Sequence, residues 1–240
     1  MLRNAFFKKP QTRKDGFSFR GHEVQRIETF SDAVFAFAVT LLIVSLEVPR
    51  TFEELLISMR GFMAFGICFG LLMFIWYEQH IFFRRYALDD PFTLILNCVL
   101  MFIVLFYVYP LKFLFTLIFS DSIYGPGKGP ISITEAQLPK LMIIYGLGFI
   151  VIYAIFLWLY VHALGQKLAL HMNRLEVFDT RSKIYSQAIM IGFGLLSITL
   201  ALILPTSMTG LSGILYTLIG PVLWIYFARR AKSRKKQQNL

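Results

Sequence analysis

Residues 26 to 49 read Arg26-Ile-Glu-Thr-Phe30-Ser31-Asp32-Ala-Val-Phe-Ala-Phe37-Ala-Val-Thr40-Leu41-Leu-Ile-Val44-Ser-Leu-Glu47-Val-Pro49. From about residue 30 to 48 the stretch is apolar almost throughout, and at 1.5 Å per residue it reaches across a hydrocarbon layer about 30 Å thick. It reads as a membrane-spanning helix with one acid, Asp32, just inside its start and another, Glu47, at its far end. Five further apolar runs follow, at about 61–83, 91–118, 139–164, 184–204 and 208–228. Each is long enough to cross, which makes the expected architecture an all-α membrane protein of six transmembrane helices. Asp89-Asp90-Pro91 stops the second helix, Pro110 predicts a kink in the third, and Pro205 separates the last two. Residues 119–138, with Tyr124-Gly-Pro-Gly-Lys-Gly-Pro130, read as a loop. No repeat relates the two halves of the chain.

Composition agrees with this reading. Of 240 residues 57% are hydrophobic and only 16% charged, against about 25% charged in a soluble domain. A soluble enzyme is excluded on that balance. Cys68 and Cys98 both lie inside apolar runs and cannot form a disulfide framework, and Cys and His show no metal-ligand spacing. No cofactor or bound metal is expected. The net charge of +10 does not imply a nucleic-acid partner, because the basic residues are placed for topology. Nineteen of the 24 Lys and Arg fall in the N-terminal arm, at Arg84 and Arg85, between Lys167 and Lys183, and after Ala228. By the positive-inside rule those segments are cytoplasmic, and the remaining five, Arg50, Arg60, Lys112, Lys128 and Lys140, are not. The expected organisation is a cytoplasmic basic arm (1–29) without a cleavable signal, a transmembrane domain (30–230) and a cytoplasmic basic tail (231–240). That tail either anchors topology or binds anionic lipid.

An ionisable residue inside a span costs about 2.5–3.5 kcal/mol on insertion scales, so it needs a reason. Ser31 or Asp32 could merely cap a helix. However, Trp76 and His80 lie one turn apart near the cytoplasmic end of the second helix, and Asn97 lies near the cytoplasmic start of the third. Topology brings them to similar depth, which predicts a hydrogen-bonded structural network of Arg26, Ser31, Asp32, Trp76, His80 and Asn97. At 100° per residue Phe37 stands 140° around the helix from Asp32. With Asp32 turned into its own bundle, Phe37, Thr40, Leu41, Val44 and Glu47 form a second stripe that faces lipid, another helix or a pore. Ala33, Ala36 and Ala38 interleave it and permit close helix approach.

Arg26 with Phe30-Ser31-Asp32, the following Ala-Val-Phe-Ala-Phe-Ala-Val-Thr-Leu-Leu, then Trp76-x3-His80, Asn97 and Pro110, resemble the potassium channel family of transmembrane protein 175, known from animal lysosomes and from prokaryotes. The single six-helix unit is similar to the prokaryotic form. The resemblance implies a homotetramer whose pore is lined by the first helix of each subunit, in a prokaryotic plasma membrane. It implies that Phe30, Ser31 and Asp32, within the network, hold that helix rather than touch ions. Phe37 occupies the family's apolar constriction, where Ile or Leu is usual, with Leu41 and Val44 deeper along the same stripe. Thr40 matches a threonine linked to cation selectivity, and Glu47 stands at the pore mouth. Potassium is the implied ion, with other monovalent cations or protons as alternatives. The chain has no Thr-Val-Gly-Tyr-Gly loop, so selection would rest on dehydration at an apolar ring and on nearby oxygens. A secondary transporter would show repeats and a charge at mid-membrane. An intramembrane enzyme would show a metal motif or paired acids. Neither pattern is present.

Overall fold

In the computed structural model the described residues are 19–21, 24–44, 50–124 and 133–238, and all their regular structure is helical. The helices are α1 (Arg26–Val44), α2 (Phe52–Tyr86), α3 (Pro91–Ile118), a short α4 (Ser120–Tyr124), α5 (Leu138–Gly165), α6 (Arg174–Ile203), α7 (Gly210–Ile214) and α8 (Ile219–Gln238).

Local chemistry sets the boundaries. The Thr51 side chain accepts from the Glu54 amide at the start of α2. Glu53 and Glu54 then occupy the first turn and Arg84 and Arg85 the last, the arrangement the helix dipole favours. Between Arg60 and Glu78 the helix is apolar. It ends at Ala87 in the left-handed region (φ 50°), whose amide donates back to the Phe83 carbonyl. Asp90 caps α3 ahead of a proline in the first turn, where a missing N–H costs nothing. The helix continues through Pro110, and the Tyr145 hydroxyl donates to the Pro110 carbonyl.

Among the described residues five helical segments are long and apolar enough to cross a membrane: Phe52–Tyr86, Pro91–Ile118, Glu135–Gly165, Arg174–Ile203 and Gly210–Arg234. They correspond to the second to sixth runs. α1 forms as expected but is shorter, at 19 residues, and carries Arg26, Glu28 and Asp32 in its first two turns. Two boundaries differ from the sequence reading. α6 begins at Arg174 rather than near 184, because Asn173 and Glu176 form a reciprocal capping box that starts the helix before the apolar run does. The last run is α7, a 3-10 turn at Leu215–Leu218 and α8 in succession. Pro221 lacks the N–H that the Thr217 carbonyl would receive in an α-helix, and the chain tightens just ahead of it. α8 also continues through the basic tail to Gln238.

α1 packs against α2 and α3, α3 against α5, and α5 against α6. The shared core is built from Phe35, Ala38 and Leu42 of α1, Leu72 and Phe82 of α2, Leu100 and Val104 of α3, and Phe156 and Leu159 of α5. Glycines permit the tightest contacts. A Cβ on Gly146 would lie 2.5 Å from Ile198 and one on Gly194 2.5 Å from Ile150, so α5 and α6 mesh reciprocally. A Cβ on Gly148 would run into the Tyr107 ring.

Candidate functional site: the two faces of the first helix

Position along α1 alternates between packed and open. Glu28, Ser31, Phe35, Ala38 and Leu42 are buried, spaced by three or four residues and therefore on one face. Phe30, Ala33, Ala36, Phe37, Thr40 and Ile43 are exposed, Phe37 by 55%, and Leu41 is half-buried. The Thr40 hydroxyl donates to the Ala36 carbonyl at 2.9 Å. Val44 ends the helix, but its side chain, like the whole of Glu47, lies outside the described residues.

The polar residues do not form one knot. The Gln79 side chain donates to Asn97 Oδ1 (3.0 Å), Asn97 Nδ2 donates to Ser31 Oγ (2.8 Å), and the Ser31 hydroxyl donates to the Ile27 carbonyl (2.7 Å). Ser31 and Asn97 are 0% and Gln79 2% exposed, so this ladder ties α1, α2 and α3 together out of reach of bulk solvent. A second pair stands at the edge. Trp76 Nε1 donates to Asp32 Oδ1 at 2.7 Å, and the Trp76 indole stacks on His80 with centroids 5.4 Å apart.

Asp32 meets its own bundle at the edge, through Trp76 of α2. Ser31 turns inward and Asp32 stays exposed, held by Trp76. Arg26 and Phe30 are exposed, and Arg26 has no polar partner among the described residues. His80 contributes a ring contact rather than a hydrogen bond among those residues. Gln79 was missed, although a polar side chain one position before His80 in an apolar run was a visible signal.

A layer of ion pairs, also missed, lies where the ends of α2 and α8 meet the start of α6. Lys183 Nζ donates to both oxygens of Glu78 at 2.7 and 2.9 Å. Arg20 pairs with Glu176 at 2.9 Å and donates to the Leu170 carbonyl, while Arg234 grips Asp179 with two nitrogens. Tyr86 and Thr180 share a hydrogen bond of 2.7 Å. His162 Nε2 lies 2.9 Å from Asp90 Oδ2. Burial would raise the Asp90 carboxyl, but hydrogen bonds from Thr93 and His162 outweigh it and hold it below the usual value of 3.8. Glu78 was legible as an acid inside a span. Among the described residues no three His, Cys, Asp or Glu side chains converge as a metal site.

Long apolar helices tied to one another by buried polar contacts such as Gln79–Asn97–Ser31 and Glu78–Lys183 define a multi-pass membrane protein. The sequence profile of the family described as endosomal/lysosomal potassium channel TMEM175 matches residues 26–107, the stretch that holds the ladder and the Trp76–Asp32 pair. A potassium channel of Marivirga tractuosa is 43% identical, over 93% of this chain and 94% of its own length. A potassium channel of Chamaesiphon minutus is 32% identical over 37% of this chain and 47% of its own. The crystal structure of a threonine-to-alanine variant of the potassium channel MtTMEM175, in complex with a nanobody fusion, superposes with a TM-score of 0.78 and 41% identity. That match covers 90% of this chain and 97% of the other. The lysosomal potassium-selective channel TMEM175 homolog from Chamaesiphon minutus shares the fold, with a TM-score of 0.56 and 23% identity over 85% and 96% of the two chains. The chain belongs to the TMEM175 potassium channel family, and its relatives are channels, not enzymes.

Proposed function

We propose that this chain forms a homotetrameric, potassium-preferring cation channel of a prokaryotic plasma membrane, with α1 of each subunit lining the pore. The observation that carries the reading is the division of α1 into a packed face and an open one. Phe37, Thr40, Ala33 and Ala36 are exposed while Phe35, Ala38 and Leu42 are buried. A stripe with a hydroxyl gains nothing from facing lipid, and one such stripe encloses a path only when copies surround an axis. Phe37, Leu41 and Val44 form the apolar constriction, Thr40 supplies selectivity, and Glu47 stands at the mouth. The Thr40 hydroxyl spends its proton on the Ala36 carbonyl, which leaves its lone pairs to face a cation.

In this reading α1 is the sixth span and both termini are cytoplasmic, on the side of the ion-pair layer. The basic arm (1–29) and tail (231–240) flank a channel domain (30–230), and the tail faces anionic lipid. The Ser31–Asn97–Gln79 ladder and the Trp76–Asp32 pair position α1 and do not touch ions. The test is flux from purified protein in liposomes under potassium, sodium and proton gradients, with native mass spectrometry for assembly. Passive flux that prefers potassium from a tetramer is expected. A stable monomer with intact flux, or flux carried by protons alone, overturns the reading.

A further inference from the structure

The family relationship leaves unused a groove between α6 and α8, about 490 Å³ in volume, lined by Tyr185, Ala188, Ile189, Tyr226 and Arg230. It is a shallow groove open along its length rather than an enclosed cavity. Its two ends differ in chemistry. At one, the Arg230 guanidinium lies 5.0 Å from the centroid of Phe178, 5.2 Å from Tyr185 and 5.6 Å from Tyr226. Its Nε donates to the Tyr226 hydroxyl (3.1 Å), which itself donates to the Ser182 carbonyl (3.0 Å). The guanidinium is thus held in place with its terminal nitrogens still able to donate. Arg234, one turn further on, has Asp179, and Arg20 has Glu176. Arg230 has no carboxylate partner among the described residues. Towards the middle of α6 the lining turns apolar, at Ala188 and Ile189.

We propose that this groove is a binding site for an anionic phospholipid, with the phosphate on Arg230 and an acyl chain over Ala188 and Ile189. A clamped arginine fork matches phosphate oxygens in geometry as well as charge. Aromatic rings around it suit the boundary between headgroups and acyl chains. The apolar continuation along α6 selects a lipid over free phosphate. The inference rests on the membrane-spanning reading of α6 and α8 but not on the identity of the conducted ion.

The experiment is native mass spectrometry of the full chain released from detergent micelles carrying phosphatidylglycerol or phosphatidylcholine, repeated with excess inorganic phosphate. Potassium flux is measured in parallel. Wild-type protein retains phosphatidylglycerol in preference to phosphatidylcholine, and phosphate does not displace it. Arg230→Gln lowers that retention about tenfold, which corresponds to about 1.4 kcal/mol. Arg229→Gln removes the same charge from an exposed neighbour and changes it less than about twofold, within the screening expected of a surface charge. Ile189→Trp fills the groove and lowers retention with every charge in place, so the test does not depend on Arg230→Gln folding. Equal losses in Arg229→Gln and Arg230→Gln, no headgroup preference, or full displacement by phosphate would each overturn the site. Loss of potassium preference with lipid retention unchanged would count against the channel reading alone.

Discussion

Replacing Asn97 by alanine isolates the contribution of the buried ladder. The side chain sits between Gln79 and Ser31, accepting from one and donating to the other, and all three are essentially sealed from solvent. The Ser31 hydroxyl still has the Ile27 carbonyl as acceptor, so it loses a donor to itself but keeps its own proton satisfied. Gln79 is left with an amide N–H that has no acceptor, and an unsatisfied buried group costs about 1–3 kcal/mol. Hydrogen bonds between membrane helices average nearer 0.6 kcal/mol, because residual partners are found before assembly, so about 2 kcal/mol is a reasonable sum for the two lost contacts and the orphaned amide. At roughly 2–4 °C per kcal/mol for a chain of this size, the melting temperature of Asn97→Ala in detergent should fall by about 4–8 °C. Asp32→Ala removes one hydrogen bond at an exposed position and should cost about 1 kcal/mol or less. Thermal unfolding followed by fluorescence-detected size exclusion compares the two directly. If Asp32→Ala destabilises more than Asn97→Ala, Asp32 rather than the Ser31 ladder is what holds α1.

Lys183→Met leaves Glu78 uncompensated and should cost about 3–5 kcal/mol, whereas the double variant with Glu78→Gln recovers most of it; chemical denaturation of both tests the pair. Gly148→Ala drives a Cβ into the Tyr107 ring and displaces the hydroxyl from the Tyr145 carbonyl, so its melting temperature should fall, and Tyr107→Ala should relieve part of the loss. The lowered Asp90 carboxyl contributes stability above its unfolded value of 3.8 and loses it as pH falls through the depressed folded value; the wild-type advantage over Asp90→Asn in melting temperature should therefore shrink below that pH. Phe37→Ala should raise flux and weaken discrimination between potassium and sodium, and Thr40→Ala should weaken discrimination with less effect on flux. Recordings in which Phe37→Ala is silent while Leu41→Ala alters conductance would move the constriction deeper.

Helix existence was legible because five runs are simply too long and apolar to be anything else, and the caps at Thr51 and Asp90 could be read from residue type alone. The early start of α6 was equally legible in Asn173-x-x-Glu176, yet the apolar run near 184 was the louder signal. The rotation of α1 was harder. From Ala33 onwards Thr40 is the one polar side chain of the helix, so no hydrophobic pattern says whether Ser31 or its neighbour 100° away turns inward. That choice depends on which face α2 and α3 cover, a property of three helices together. The pairings of Glu78 with Lys183 and Arg20 with Glu176 join residues more than a hundred positions apart. A basic residue read only for topology gives no hint of the acid it meets.

The apolar stretch of α2 between Arg60 and Glu78 is about 27 Å long at 1.5 Å per residue. An average bilayer offers about 30 Å of hydrocarbon. Glu78 is withdrawn from lipid by its pairing with Lys183, so the apolar run continues to Phe83 and reaches about 35 Å, enough to cross the hydrocarbon with some tilt. α1 packs directly on α2, so a change of bilayer thickness that retilts α2 would strain the contacts that hold α1, which couples the bundle to the thickness of its membrane.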